Sequence, residues 1–510
     1  MKGNFPKWLE KAVFYEIYPQ SFCDTNSDGI GDLQGIIDKL DYICDTGFNA
    51  LWLNPIFSSP FGDAGYDISD YYTVAKRYGT NEDAKRLFSE AHKRNMHIFL
   101  DLVPGHTAPD HKWFCESMKA QTNEYTDRYI WNNDVWEMPK GFGCIRGISD
   151  RDGCAVVNFF SHQPALNYGF YEVEEDWQQP IDAKGPTETL NAIIDVMRFW
   201  LDMGCDGFRV DMAGAMVKND PEQLGTIKLW QKVRKFLDAE YPDAAIISEW
   251  GNPERAIGGG FHLDFCLHFG YLGEYENLFR TKHPFFCADG KGDITEFVEK
   301  YTKAYEKTKE NGYICMISGN HDLQRMGHYL SDTQKKLAFA MLLSMPGAPF
   351  VYYGDEIGMD YIEGMTSHEG GFFRTGSRTP MQWDDTPNAG FSSAPSELLY
   401  LPIDKRKDRP TVKKQLSLEN SLLSEVKRLI KLRKENPALA NGAEFKFETN
   451  TYPLVYSRWC KEQKLKIIIN PQNKPFKVKA NGRIIYKNGE ATFNGEICTI
   501  GKESVAFIEL

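Results

Sequence analysis

No stretch of this 510-residue chain is apolar enough to cross a bilayer, and its opening, MKGNFPKWLEKAVFYEIYPQ, has no run long enough for the core of a secretory signal. Both absences set the expectation of a cytoplasmic protein with no membrane partner. The eleven cysteines are odd in number, scattered and free of any CxxC spacing, which argues against a disulfide framework and for reduced thiols. Cys144 and Cys154 could bridge a loop; two free thiols is the plainer expectation. There is no Lys/Arg block, and the net charge is −12, so a nucleic-acid or acidic-lipid surface is a poor fit. A neutral small molecule suits this charge better. Internal repeats and low-complexity linkers are also missing. What remains is ordinary for a folded globular chain: 42% hydrophobic and 25% charged residues, at a length that calls for more than one domain.

Apolar runs alternate with helical patterns along most of the chain. AVFYEIYPQSF, FNALWLNPI, HIFLDLVPGH, DGFRVD, AAIISEW, DFCLHF, YICMISG and APFVYYGDE read as strands, with amphipathic segments such as LQGIIDKLDYICDTG, NEDAKRLFSEAHKRN and LGTIKLWQKVRKFLDAE between them. Eight strands with intervening helices predict an α/β fold, a closed (β/α)8 barrel whose chemistry sits at the C-terminal strand ends. The pattern is interrupted after the third strand by a Trp-, Asn-, Asp- and Gly-rich stretch without helical periodicity, expected to be an inserted loop domain over the barrel mouth. Near residue 440 the register changes to short alternating stretches, KLKIIIN, FKVKA, GRIIY and SVAFIEL, which predict a C-terminal antiparallel β-sandwich. The expected division is barrel at 1–104 and 172–439, insert at 105–171, and β domain at 440–510.

Between the first strand and first helix lies DTNSDGIGD. Asp24, Asn26, Asp28 and Asp32, with the backbone carbonyl of Ile30, offer five oxygen donors at alternating positions, the pattern of a loop that wraps a hard cation. The expectation is one structural calcium ion. The stretch resembles the first half of an EF-hand loop without its closing Glu.

Polar residues recur where the strands end. Asp101 and His106 follow the third, Arg209 and Asp211 the fourth, Glu249 the fifth, and His321 with Asp322 the seventh. Singly, each has a structural explanation as a satisfied buried carboxylate, a core histidine or a helix-start residue. Together at one barrel end they point to chemistry, because stability has no reason to gather them there. Arg209 and Asp211 lie two apart, on one face of a strand, so the guanidinium is expected to hold Asp211 ionised as a nucleophile. Glu249 follows the apolar run AAIIS, where burial raises a carboxyl pKa toward that of a general acid. An ionised carboxylate and a protonated one about 5–5.5 Å apart suit retaining cleavage of an acetal. Asp322 can bind sugar hydroxyls, His106 and His321 can donate hydrogen bonds, and Tyr66 offers an aromatic face.

With these motifs in order, DTNSDGIGD, GYDISDYY, DLVPGH, QPALN, GFRVD, SGNHD, YYGDEIGM and RTPMQW, the chain resembles the α-amylase family of glycoside hydrolases over nearly its whole length. The resemblance implies Asp211 as nucleophile, Glu249 as general acid/base and Asp322 as transition-state stabiliser. It also implies Tyr66, Asp101, His106, Arg209 and His321 in the first sugar subsite. RTPMQW and the Asp24 loop look like the α-glucosidase, oligo-1,6-glucosidase and trehalose synthase branch, in which Asp63 and Arg378 would close the pocket end. That implies exo action on short oligosaccharides. A glycosyl transferase or isomerase such as trehalose synthase, and an endo-amylase, stay open as alternatives. Gly105 stands where the family usually has Asn, which speaks against the calcium site that this Asn serves at the insert in many amylases; Ala165 where the branch usually has Asp, Met212 after the nucleophile, and SEWGNPERA after the acid leave linkage open. Oligomeric state is not indicated.

Overall fold

The computed structural model describes residues 5–510. Its central sheet has eight parallel strands: β1 (Phe14–Ile17), β2 (Ala50–Leu53), β3 (His97–Leu102), β4 (Gly207–Val210), β5 (Ala245–Ser248), β6 (Leu263–Phe265), β7 (Tyr313–Cys315) and β8 (Phe350–Tyr352). They are neighbours in chain order, and β8 pairs back onto β1. The remaining gap is closed by hydrogen bonds from Phe350 N to Met316 O at 3.0 Å and from Ser318 N to Phe350 O at 2.9 Å. The result is a (β/α)8 barrel. Each strand precedes a helix: α1 (Leu33–Thr46), α2 (Asn81–His92), α3 (Lys184–Met203), α4 (Leu224–Glu240), α5 (Pro253–Gly258), α6 (Thr295–Thr308), α7 (Asp332–Leu342) and α8 (Leu422–Glu435).

Local chemistry explains these boundaries. Asp32 caps α1 through Gly35 N, Thr80 and Asp83 form a capping box at α2, and Ser331 and Gln334 form another at α7. With helices outside and side chains inside, β1, β2, β4 and β5 are buried along their whole length, as unbroken apolar runs require. Aromatic rings fill the interior: Phe14 stacks on Phe350 at 4.1 Å, and Phe265 lies 4.8 Å from Phe350 and 5.4 Å from Trp52. Strand six is shorter than DFCLHF predicts. It ends at Phe265, and His268 and Phe269 leave the sheet for the barrel mouth.

The segment between β3 and α3 rises over that mouth. It carries one short helix, Lys112–Ser117, which its lack of periodicity did not predict, and a two-residue strand pair, Cys144–Ile145 with Ala155–Val156. All eleven cysteines are free. Beyond α8, eight antiparallel strands follow: β9 (Glu444–Phe447), β10 (Leu454–Trp459), β11 (Lys464–Asn470), β12 (Phe476–Lys479), β13 (Arg483–Asn488), β14 (Ala491–Asn494), β15 (Ile497–Ile500) and β16 (Ser504–Glu509). They form a five-stranded sheet, ordered β9-β10-β11-β16-β13, and a three-stranded one, β12-β15-β14, enclosing Ile468, Ile500 and Ile508. Among the described residues no helix is long and apolar enough to cross a membrane.

Candidate active site

At the C-terminal end of the barrel lies a cavity of about 700 Å³, lined by Asp63, Tyr66, Asp211, Glu249, Asp322 and Arg374 among others. Arg209 organises its floor. One guanidinium reaches three carboxylates: Nη1 lies 2.8 Å from Asp101 Oδ1 and 2.9 Å from Asp211 Oδ1, and Nη2 lies 2.8 Å from Glu249 Oε1. Strand register makes this possible, because Asp101 on β3 pairs directly with Arg209 on β4. Asp211 and Glu249 are therefore held side by side on the two terminal nitrogens of one planar group.

The electrostatics correct one expectation. Arg209 does pull the Asp211 carboxyl down, but burial outweighs it, and the neighbouring Asp101 charge adds to burial, so Asp211 is pushed up to about 7. The reason is arithmetic: one positive charge is shared among three buried carboxylates. Glu249 follows expectation, pushed up to about 8 by burial against the pull of Arg209. The backbone contributes as well. Met212 sits in the left-handed region at φ 44°, which turns its N–H to donate to Glu249 Oε2 at 3.0 Å. Asp101 lies deeper, raised to about 6 by burial, and its Oδ2 accepts from Trp52 Nε1 at 3.1 Å and Tyr66 Oη at 2.8 Å.

Asp322 is the opposite case. Burial raises its carboxyl, but the guanidiniums of Arg374 and Arg378, at 3.0 and 2.9 Å, hold it well below the usual carboxylate range, with the His321 Nε2 at 3.4 Å. His321 is kept neutral by burial, its Nδ1 lying 3.0 Å from Glu16 Oε1 and its ring stacked on Tyr66 at 5.1 Å. His106 is also neutral, lowered to about 4 by burial. Both of its nitrogens have partners within the protein: Nε2 donates to the Tyr66 carbonyl at 3.0 Å and Nδ1 accepts from Asn158 Nδ2 at 3.3 Å, while the ring lines the cavity.

A second correction concerns the pocket end. Arg378 is 1% exposed, and its guanidinium lies beneath Asp322, with Nε donating to the His321 carbonyl at 2.9 Å. Arg374, one turn earlier in the 3-10 segment Phe372–Ser377, lines the cavity and bridges Asp322 at 3.0 Å to Asp63 at 3.3 Å. The loop carrying it is seated by Gly370, at φ 66°, where a Cβ would lie 2.5 Å from the Gly62 carbonyl oxygen. Gln163 completes the contact, donating to Asp63 Oδ2 at 2.9 Å. FRTGSRTP shows two arginines four apart, and only the turn decides which faces in.

The departure at Gly105 has a spatial meaning. A Cβ there would lie 2.6 Å from Asn158 Nδ2, so an amide from the insert fills the space that a side chain at 105 would take. Lys218 Nζ donates to Asn158 Oδ1 at 3.0 Å and to the Ala215 carbonyl at 2.9 Å, and burial lowers it to about 8. This ammonium thus joins insert and barrel, and through Asn158 reaches His106. Sequence reasoning missed Arg374, Gln163, Asn158 and Lys218, since none lies at a strand end. Ala165 is buried and bridges His106 through its backbone.

In the Asp24 loop the oxygens are ordered by local N–H bonds. Asp24 accepts from Asn26 N, Ser27 N and Gly29 N at 3.0, 2.8 and 2.8 Å, Asp28 from Ile30 N at 2.8 Å, and Asp32 from Gly35 N at 2.7 Å. Among the described residues no three His, Cys, Asp or Glu side chains are gathered to hold an ion. A site here therefore depends on the Asn26 amide and the Ile30 carbonyl as well, a donor set that is all oxygen and suits a hard cation.

Barrel, insert and a carboxylate trio around one arginine define an acid/base hydrolase acting at a strand-end pocket. The family model for the α-amylase catalytic domain matches residues 16–442, so the chain belongs to the α-amylase family and is a glycoside hydrolase. It is 32% identical over 487 residues to a trehalose synthase/amylase of Mycolicibacterium smegmatis, covering 85% of this chain and 77% of that protein. It is 30% identical over 555 residues to an oligo-1,6-glucosidase of Parageobacillus thermoglucosidasius, covering 95% and 94%. Among solved structures, an isomaltulose synthase mutant of Erwinia rhapontici in complex with its natural substrate sucrose superposes with a TM-score of 0.82 at 26% identity, over 99% of both chains.

Proposed function

We propose that this protein is a retaining α-glucosidase that releases glucose from the non-reducing end of short α-linked gluco-oligosaccharides. Asp211 attacks the anomeric carbon, Glu249 protonates the leaving oxygen and then deprotonates the incoming water, and Asp322 stabilises the distorted ring. The observation that carries exo action is the Asp63–Arg374–Asp322 bridge, which blocks one end of the cavity so that only a chain end enters. A cavity of about 700 Å³ is of the size that takes a short oligosaccharide. Incubation of the purified protein with maltose, isomaltose, trehalose, sucrose and maltoheptaose, followed by chromatography, tests the reading. Stepwise glucose release supports it and gives the linkage; mid-sized fragments from maltoheptaose sink it in favour of an endo-amylase. The 32% identity to a trehalose synthase/amylase favours one second reading, in which a sugar replaces water and trehalose forms from maltose. We propose also that Asp24, Asn26, Asp28, the Ile30 carbonyl and Asp32 hold one structural calcium ion. The chain's expected cytoplasmic setting belongs with these proposals.

A further inference from the structure

The outer half of the cavity is built unlike its floor. Phe159 and Phe160 come from the insert, Phe269 from the loop after β6, and Phe372 and Phe373 from the late loop. Phe159, Phe372 and Phe373 are 57%, 56% and 72% exposed, so these rings bury little against the protein itself. Phe160 and Phe372 approach each other from the insert and the late loop with centroids 5.9 Å apart, and Phe160 packs on Phe159 at 4.5 Å. Phe372 has φ 50°, a left-handed backbone that a bulky residue adopts at a cost, held by its N–H bond to Ser367 Oγ at 2.9 Å. Stability gives no reason to strain a backbone in order to expose an apolar ring. Contact with a ligand does.

The polar groups of this outer half are mostly committed to one another. Trp250 Nε1 donates to Gln223 Oε1 at 2.8 Å, and Gln223 Nε2 donates to the Gly214 carbonyl at 2.8 Å, leaving His268 as the exposed polar ring of this half. A second sugar bound there would bring hydroxyls that phenyl rings cannot pair. An alkyl or aryl group would bring none.

We propose that the leaving-group half of this pocket selects α-glucosides whose aglycone is apolar, an alkyl or aryl alcohol, over those whose aglycone is another sugar. The inference rests on the α-glucosidase reading of the floor. In the first step the C1–O bond to the aglycone breaks, Glu249 gives its proton to the leaving alcohol oxygen, and Asp211 forms an ester with C1. Water, giving a proton back to Glu249, then breaks the ester and releases glucose with Asp211 ionised again.

Methyl and n-hexyl α-D-glucopyranoside test this cleanly, because their alcohols differ little in acidity and the rate ratio reads contact with the aglycone. With the full chain, kcat/KM for the hexyl glucoside should exceed that for the methyl glucoside and for maltose by at least about tenfold. The exposed-ring double variant Phe372→Ser, Phe373→Ser should bring the hexyl-to-methyl ratio near one, and Phe269→Ser should lower it independently. A ratio near one in the unmodified protein, or one that survives these substitutions, overturns the inference while leaving the glucosidase reading intact. Absence of glucose from all three substrates would instead overturn that reading, and the inference with it.

Discussion

On the floor of the pocket, charged groups meet one another: Arg209 reaches Asp101, Asp211 and Glu249, and Arg374 and Arg378 hold Asp322. At the rim, phenylalanines from three separate segments are left largely open to solvent. Asp101 and Arg209 sit on β3 and β4 and Asp211 and Glu249 directly follow β4 and β5, so sheet register sets this part of the floor, whereas the rim is built on loops. The difference teaches where each kind of specificity resides. Groups that take part in bond breaking need positions good to a few tenths of an ångström and rest on the sheet. Groups that sort leaving groups need area more than angle, and loops supply it.

The sharpest way to break this comparison is at the floor. Asp211→Asn should lower turnover by on the order of 10⁴-fold with the circular dichroism spectrum unchanged, and activity within tenfold of the parent would end its assignment as nucleophile. Arg209→Leu leaves three buried carboxylates without their cation and should destabilise the fold by about 3–5 kcal/mol in denaturant unfolding. A change below about 1 kcal/mol would mean that Arg209 is not the organiser of the floor.

Arg374→Ala tests the boundary between the two regions. It removes one of the guanidiniums that hold Asp322 ionised and opens the blocked end, so kcat/KM for maltose should fall roughly 100-fold. Maltoheptaose should then give some fragments longer than glucose, and an unchanged product pattern would count against Arg374 as the gate.

The pH profile is a gentler probe. Catalysis requires Asp211 ionised, which holds above about 7, and Glu249 protonated, which holds below about 8. The profile of kcat/KM should be bell-shaped with its maximum between these values, falling about tenfold per unit on either side. Stability has the opposite sense at Glu249. Its folded pKa lies above its unfolded one, so its contribution is complete below the unfolded value and is lost as pH rises through about 8. Glu249→Gln should therefore melt above the parent at pH 9, with the difference fading toward pH 5.

The smallest effect lies away from floor and rim alike, in the Asp24 loop. If calcium binds only the folded form, a chelator should lower the melting temperature by about 2–5 °C and added calcium should restore it. A transition indifferent to both would remove the ion from the account.

The barrel was legible because its evidence is local: apolar strand runs, capping residues and their alternation survive in a one-dimensional string. The carboxylates were legible for the same reason, since strand ends can be counted and Arg209 and Asp211 lie two apart. The lesser parts of the site were not. Which of Arg374 and Arg378 faces the cavity depends on a 3-10 turn, and the filling of the Gly105 space by Asn158 depends on how the insert folds back.

By itself, then, the sequence determined the kind of fold and the residues able to break an acetal, because periodicity and side-chain type are properties of each position. Tertiary structure alone decided their state. Asp211 rises to about 7 although an arginine touches it, and Asp322, half-buried in the same pocket, stays ionised, because burial and the sharing of charge are set by the whole surroundings of a group.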